Sequence, residues 1–375
     1  MKILHVIETL GTGGAERMLC TLASGQVRSG DDVTVAVLRP PLDLACELEA
    51  SGVGVVVLPR HHKWSLLYGA GRIAALAAQS GAEVVHAHLY FAAIQVGLGR
   101  MLRWIPALSV VTFHNLAYRT GANRRGARLC LRQMLARLIY RFGIDQYIAV
   151  SHAVARHYSR RLGLSGIHVV HNAVDLGVFS GPDRVAPSDA STRCPNLLLP
   201  GRLVHEKGHA DLLDAILLLR NRGRCLNVVL AGGGPLRAVL ERRIDEAGLR
   251  DSVRITGSIA HAELVTEMAR ADIVVVPSRF EGFGLTALEA LALARPVVAS
   301  RAGGLPEVVE HERSGLLFEP GDASGLADAI ERLLDNPALA EKLGRVGRDR
   351  VVLCFEAERA VERVRAIYRA GGSLR

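Results

Sequence analysis

From Lys2 onward, short runs of valine, isoleucine and leucine alternate with helix-length amphipathic segments almost without a break. No other feature restricts the fold as strongly. A strand buried on both faces reads as a continuous apolar run, and parallel neighbours need crossovers long enough to hold a helix. The alternation therefore predicts an α/β architecture of parallel sheets with crossover helices. Expected strands fall near 2–7, 33–38, 54–58, 83–87, 108–112, 147–150 and 167–170, then near 196–200, 226–231, 253–256, 273–277, 296–299 and 315–318. The only long stretch with neither period surrounds 181–195 and is expected to be a linker. With 375 residues, two domains are expected, at 1–180 and 196–355, followed by a helical tail from about 356 to 375 with no strand after it.

Composition removes several classes of function. No apolar run approaches the length needed to span a bilayer, and the first residues are too quickly interrupted for a secretory signal. The six cysteines show no close pair, which argues against a disulfide framework or a zinc site and for a reducing cytoplasm. Net charge is +9, carried almost entirely by arginine. Seven arginines fall between Arg119 and Arg141 with no acidic residue among them, interleaved at helical spacing with Leu129, Leu131, Met134, Leu135, Leu138 and Ile139. That segment suits an anionic membrane surface, a phosphorylated substrate, or a core helix with a solvated basic face. Nucleic acid is not expected, because the stacking aromatics and binding modules it requires are missing.

The turns after the expected strands carry the chemistry. Glu281-Gly282-Phe283-Gly284-Leu285 precedes an apolar helix pattern, which places Glu289 about one and a half turns inside that helix. The intervening backbone N–H groups form an anion site with a carboxylate on either side, as a ligand with a phosphate and hydroxyls at both ends would need. Arg202 and Lys207 stand around the turn after the 196–200 strand, a planar fork and a point charge suited to a diphosphate. Glycine turns follow at Gly13–Gly14, around Gly233 and at Gly303–Gly304, each allowing close backbone approach. The first misses the dinucleotide fingerprint, since Glu16 occupies the place of its last small residue. His86 and His88 point the same way on one strand, but no third ligand follows at a recognisable spacing, so no metal is expected. His114 ends another strand on the functional edge of a parallel sheet, where a substrate hydroxyl would lie.

In this order, Arg202 and Lys207, the 232–235 glycine turn, the Glu281–Glu289 pair, the 303–307 run Gly-Gly-Leu-Pro-Glu, and the phrase VVHNAVDLGVF at 169–179 resemble retaining glycosyltransferases of family 4. The resemblance covers almost the whole chain. It implies a GT-B fold, two Rossmann-like domains facing a central cleft, with the tail crossing back to the first domain. It further implies that Arg202 and Lys207 hold the donor diphosphate, Glu289 the ribose, and Glu281 the donor sugar. The 282–285 amides, Gly13, Gly14 and Gly233 would complete the donor pocket, with His114 near the transferred sugar. The co-substrate would be a nucleoside-diphosphate sugar with no cofactor and no divalent metal, and the acceptor a lipid-linked or cell-envelope glycan shaped by residues 60–68 and 115–130. The expected location is the cytoplasm, at the inner face of the membrane. The competing readings are an epimerase or phosphorylase of the same fold, a silent sugar-nucleotide-binding scaffold, and, last, a nicotinamide dehydrogenase.

Overall fold

A computed structural model describes residues 1–58, 66–117, 127–179 and 194–372. The expected linker lies outside these residues except for its last two, as does most of the 60–68 and 115–130 loops. The chain divides into two compact units, Met1–Ala173 with Ala357–Arg375, and Val174–Glu356.

The first unit is built on seven parallel strands, β1 (Lys2–Ile7), β2 (Asp32–Val37), β3 (Gly54–Val57), β4 (Val84–His88), β5 (Leu108–Phe113), β6 (Gln146–Ala149) and β7 (Ile167–Val169), in the order β3-β2-β1-β4-β5-β6-β7. The second holds six, β8 (Asn196–Pro200), β9 (Asn227–Ala231), β10 (Val253–Gly257), β11 (Ile273–Val276), β12 (Val297–Ser300) and β13 (Leu316–Phe318), in the order β10-β9-β8-β11-β12-β13. Both are Rossmann-like α/β units, and all thirteen strands lie where the apolar runs predict them to within a residue at each end. β4 and β11 are buried along their whole length, the continuous apolar pattern that central parallel strands require.

The helix Ala357–Gly372 belongs to the first unit. Its Val361, Val364 and Tyr368 join the core formed by Ile7, Leu19, Val35 and Val110, and Val361 seats against Gly25 of the Gly14–Arg28 helix. Arg365 Nε pairs with the buried Asp31 Oδ2 at 2.8 Å.

Two expectations change. Cys194 and Cys225 form a disulfide, with Cα atoms 5.2 Å apart. They are 31 residues apart in sequence, yet each lies two positions before a strand, and β8 pairs β9 with Asn196 opposite Asn227. Parallel pairing brings distant cysteines together where sequence spacing shows nothing. The second change concerns the basic segment. Within the helix Ala127–Gly143, Ala136, Tyr140 and Gly143 face inward, while Leu131, Met134, Leu135, Leu138 and Phe142 are 48–63% exposed. The large apolar side chains lie on the outer face, so the core-helix alternative does not hold for them.

Candidate functional site

In the second unit strand addition reverses between β8 and β11, and the loops leaving these adjacent strands lie side by side. Open α/β sheets bind ligands at such a switch point, beyond the carboxyl ends of the strands. After β8 the chain makes one 3-10 turn, His205–Lys207, and passes through Gly208 at φ 70°. A Cβ there would strike the Pro277 carbonyl just past β11, so glycine permits the loops to touch. Arg279 fastens them. Its backbone N–H donates to the Glu206 carbonyl at 2.8 Å, and its guanidinium grips buried Asp211 with two hydrogen bonds, Nε to Oδ2 at 2.9 Å and Nη2 to Oδ1 at 2.5 Å. Held this way, Lys207 Nζ donates to Glu281 Oε2 at 2.6 Å, and Ser278 Oγ donates to the same oxygen at 3.2 Å. Arg202 is exposed beside this pair of loops.

Glu281 leads into the helix Leu285–Ala292. Its N-cap is Gly284, at φ 110°, and no side chain caps the helix. The N–H groups of the first turn are thus open to an anion. Thr286 Oγ1, in that same turn, is buried with no hydrogen-bond partner. From the loop after β12, Gly304 N–H donates to the Glu281 carbonyl at 3.1 Å, and a Cβ on Gly303 would collide with that carbonyl. The Gly232–Gly234 turn after β9 is tied to the Arg202 loop by Leu203 N–H donating to the Gly233 carbonyl at 2.9 Å. Glu289 is buried, with Oε1 3.1 Å from His261 Nε2. Phe283 turns its ring into the core, edge-on to Phe355. One edge of one sheet thus gathers Arg202, Lys207, Gly233, Glu281, Gly282, Gly284, Leu285 and Glu289. A cavity of about 340 Å³ opens at the opposite edge, beside Cys225 and Ser252, away from these loops.

Gly13, Gly14 and His114 belong to the first unit. Gly13 is the N-cap of the helix Gly14–Arg28, again with no side-chain cap. β1 and β4 pair with His5 opposite His86, which brings His5, His86 and His88 into one buried cluster. His5 Nε2 lies 2.7 Å from Gln26 Oε1, and His5 Nδ1 lies 3.0 Å from His88 Nε2. His88 Nδ1 is 3.0 Å from His114 Nε2, just past β5. His86 meets Tyr368 Oη through Nδ1 at 2.6 Å and Thr112 Oγ1 through Nε2 at 2.7 Å. Every ring nitrogen of His5, His86 and His88 therefore has a hydrogen-bond partner, and His5 is the third histidine beside His86 and His88 that sequence spacing did not reveal. Burial lowers all four histidines, His5 and His114 to about 4. All are neutral near pH 7.

Sequence reasoning missed His5, His261 and the Asp211–Arg279 pair. His261 lies a few residues past β10, so the positional rule that singled out Lys207 would have found it. Arg279 and Asp211 are 68 residues apart and give no local signal.

The fold and these paired, glycine-rich strand ends define the GT-B class. The Glycosyltransferase Family 4 model matches residues 12–178 and the Glycosyl transferases group 1 model matches residues 187–350, so the chain belongs to the family 4 glycosyltransferases. The chain is 35% identical over 178 residues to an alpha-D-kanosaminyltransferase of Streptomyces kanamyceticus, covering 48% of this chain and 46% of the relative. It is also 35% identical over 220 residues to a GDP-mannose-dependent alpha-(1-6)-phosphatidylinositol monomannoside mannosyltransferase of Mycobacterium tuberculosis, covering 55% and 57%. The chain spans about half the length of the curated relatives it matches. The fold is shared with Anabaena HepE in complex with UDP-glucose, at a TM-score of 0.84 and 21% identity over 99% of this chain and all of that one.

Proposed function

We propose that this protein is a retaining glycosyltransferase that moves a hexose or related sugar from a nucleoside-diphosphate sugar to a lipid-linked or cell-envelope glycan, without a divalent metal. The observation that carries this reading is the Lys207–Glu281 pair, 2.6 Å apart beside the uncapped start of the Leu285–Ala292 helix. Lys207, Arg202 and the 282–285 amides receive the diphosphate. The leaving nucleoside diphosphate gains negative charge as the glycosidic bond breaks, and these groups lie where that charge develops. They supply the positive field that a metal provides on other folds. Glu281 takes hydroxyls of the donor sugar, and Lys207 offsets its charge so that it does not repel the phosphates. Glu289, steadied by His261, accepts from the ribose. Gly233 lines the donor pocket of the second unit. In retention by same-face attack the leaving phosphate takes the acceptor proton, so no side chain is assigned as general base.

The lipid-linked acceptor is supported by the mycobacterial relative, whose name specifies a phosphatidylinositol mannoside, and by the exposed apolar stripe of the Ala127–Gly143 helix with Arg132, Arg137 and Arg141 beside it. No described helix is long and apolar enough to cross a membrane.

The test is a thermal-shift titration with UDP, GDP and ADP, each in excess EDTA. A ligand at about 100 times its Kd stabilises the unit that binds it by roughly 2.7 kcal/mol, several degrees of Tm. One nucleotide is expected to shift Tm with EDTA present. A protein that responds only when magnesium is restored would overturn the metal-free reading, and silence with all three would overturn donor binding.

A further inference from the structure

The Cys194–Cys225 bridge of the second unit stands in a frame that holds without it. β8 pairs with β9 on one side and β11 on the other. Hydrogen bonds tie the starts of these strands. Asn227 N–H donates to the Pro195 carbonyl at 2.8 Å, Asn227 Nδ2 to the Cys194 carbonyl at 3.2 Å, and Asn196 N–H to Asp272 Oδ2 at 2.7 Å. With the sulfurs reduced, the same bonds keep the two cysteines side by side, at the present Cα separation of 5.2 Å. The bridge can therefore open and reclose without unfolding. Cys225 is exposed and Cys194 half-buried, so an attacking thiolate reaches the Cys225 sulfur first. Exposed bridges are the labile ones, and in the reducing compartment expected for this chain a bridge that forms is redox-responsive. The cavity of about 340 Å³ adjoins that sulfur. Ile216, Leu226 and Leu249 give it an apolar wall, Arg220 and Arg224 a cationic one. Arg224 is neutralised by Glu331 and Asp335. Arg220 donates to the Ala247 and Gly248 carbonyls at 3.0 Å and has no carboxylate partner among the described residues, so its charge can draw an anion.

We propose that Cys194–Cys225 is a reversible thiol–disulfide exchange site that admits a small anionic thiol, of the glutathione class, through the cavity beside Cys225. The thiolate attacks Cys225 Sγ, forming a mixed disulfide there and releasing Cys194 as a thiolate, which takes up a proton. A second small thiolate attacks the small molecule's sulfur in that mixed disulfide and releases Cys225. Two small thiols are thus oxidised to one disulfide while the bridge is reduced to two thiols, and closure is the same exchange run backwards. The closed bridge encloses β8, the turn with Arg202 and Lys207, and the helix His209–Asn221 in one loop, which restrains the unfolded chain of the second unit. It lies at the strand starts, opposite the loops that carry Lys207 and Glu281. Opening it therefore lowers the stability of the unit and leaves those loops in place. The exchange goes beyond the transferase reading and does not rest on it.

The test equilibrates the full chain in glutathione buffers running from oxidised to reduced, quenches with iodoacetamide and maps each cysteine by peptide mass. Cys46 and Cys354, free and exposed, are the comparison for non-specific glutathionylation. Cys194 and Cys225 are expected to pass from bridged to alkylated without denaturant. A glutathionylated Cys225 peptide should appear at intermediate poise and accumulate in Cys194→Ser. Opening should leave the far-UV circular dichroism unchanged and lower Tm by about 10 °C, as a loop of this length predicts for a unit of this size. Glutathione should open the bridge about tenfold faster than cysteamine, a cationic thiol, at equal thiolate concentration, and Arg220→Gln should erase that preference. A bridge that resists reduced glutathione until urea unfolds the chain overturns the exchange, as does a pair alkylated at every poise. An adduct confined to Cys194 overturns the route of attack. Equal rates for the two thiols overturn the anionic entry, and an unchanged Tm overturns the restraint.

Discussion

Glu281 is a carboxylate set beside the open start of a helix, and Lys207 offsets its charge from 2.6 Å away. On the proposed reading, removing the lysine subtracts a phosphate ligand and also exposes Glu281 as a repulsive charge, so the two losses compound. Lys207→Ala is expected to lower kcat/KM on the order of 100-fold or more, about 2.7 kcal/mol of barrier. Near-normal turnover in a steady-state assay of that variant would remove the role given to Lys207. At this scale the sequence is legible where chemistry is local. Glu281 and Glu289 stand on one turn and its helix, and Arg202 and Lys207 on one loop. Asp211, Arg279 and the Cys194–Cys225 bond are not legible in the same way. Their partners are chosen by which strands become neighbours, and no residue announces that by its own spacing.

Among the elements, the Ala127–Gly143 helix departs furthest from ordinary burial. Leu131, Met134, Leu135, Leu138 and Phe142 recur every three or four residues on its exposed face, with Arg137 and Arg141 alongside. An apolar stripe bordered by cations has the chemistry to enter the headgroup layer of an anionic membrane. The protein should co-sediment with vesicles containing phosphatidylglycerol and not with neutral phosphatidylcholine vesicles. Replacing Arg137 or Arg141 by alanine should weaken that binding about fivefold each, as expected for one basic residue at such a surface. Absence of binding at low salt would eliminate the surface. The alternation of apolar and basic residues told of a helix here, and its period matched. Which face turned outward was not readable, because an amphipathic pattern has the same period whether its apolar side meets a core or a bilayer.

For the molecule as a whole, the two sheets follow from apolar runs and crossovers alone, since a parallel strand has few alternatives once its neighbours are set. The buried histidines add a property of the whole fold. Burial depresses their folded pKa values, while the unfolded chain titrates near 6.5, so acid is taken up preferentially by the unfolded state. Stability is then full above about pH 6.5 and falls as pH drops from there toward 4. His5, fully buried, contributes about 2 kcal/mol of loss at pH 5, roughly 5 °C of Tm for a unit this size. Calorimetry between pH 7 and 5 checks it, and a flat Tm would mean the cluster is not neutral when folded.

The Ala357–Gly372 helix also bears on how the chain is made. The second unit is contiguous, Val174–Glu356, whereas the first needs a helix translated after all of it. On the ribosome the later unit is therefore synthesised in full while the earlier sheet still waits for Val361, Val364 and Tyr368 to cover its face. Until then that face of the nascent sheet stays uncovered, a natural handhold for chaperones.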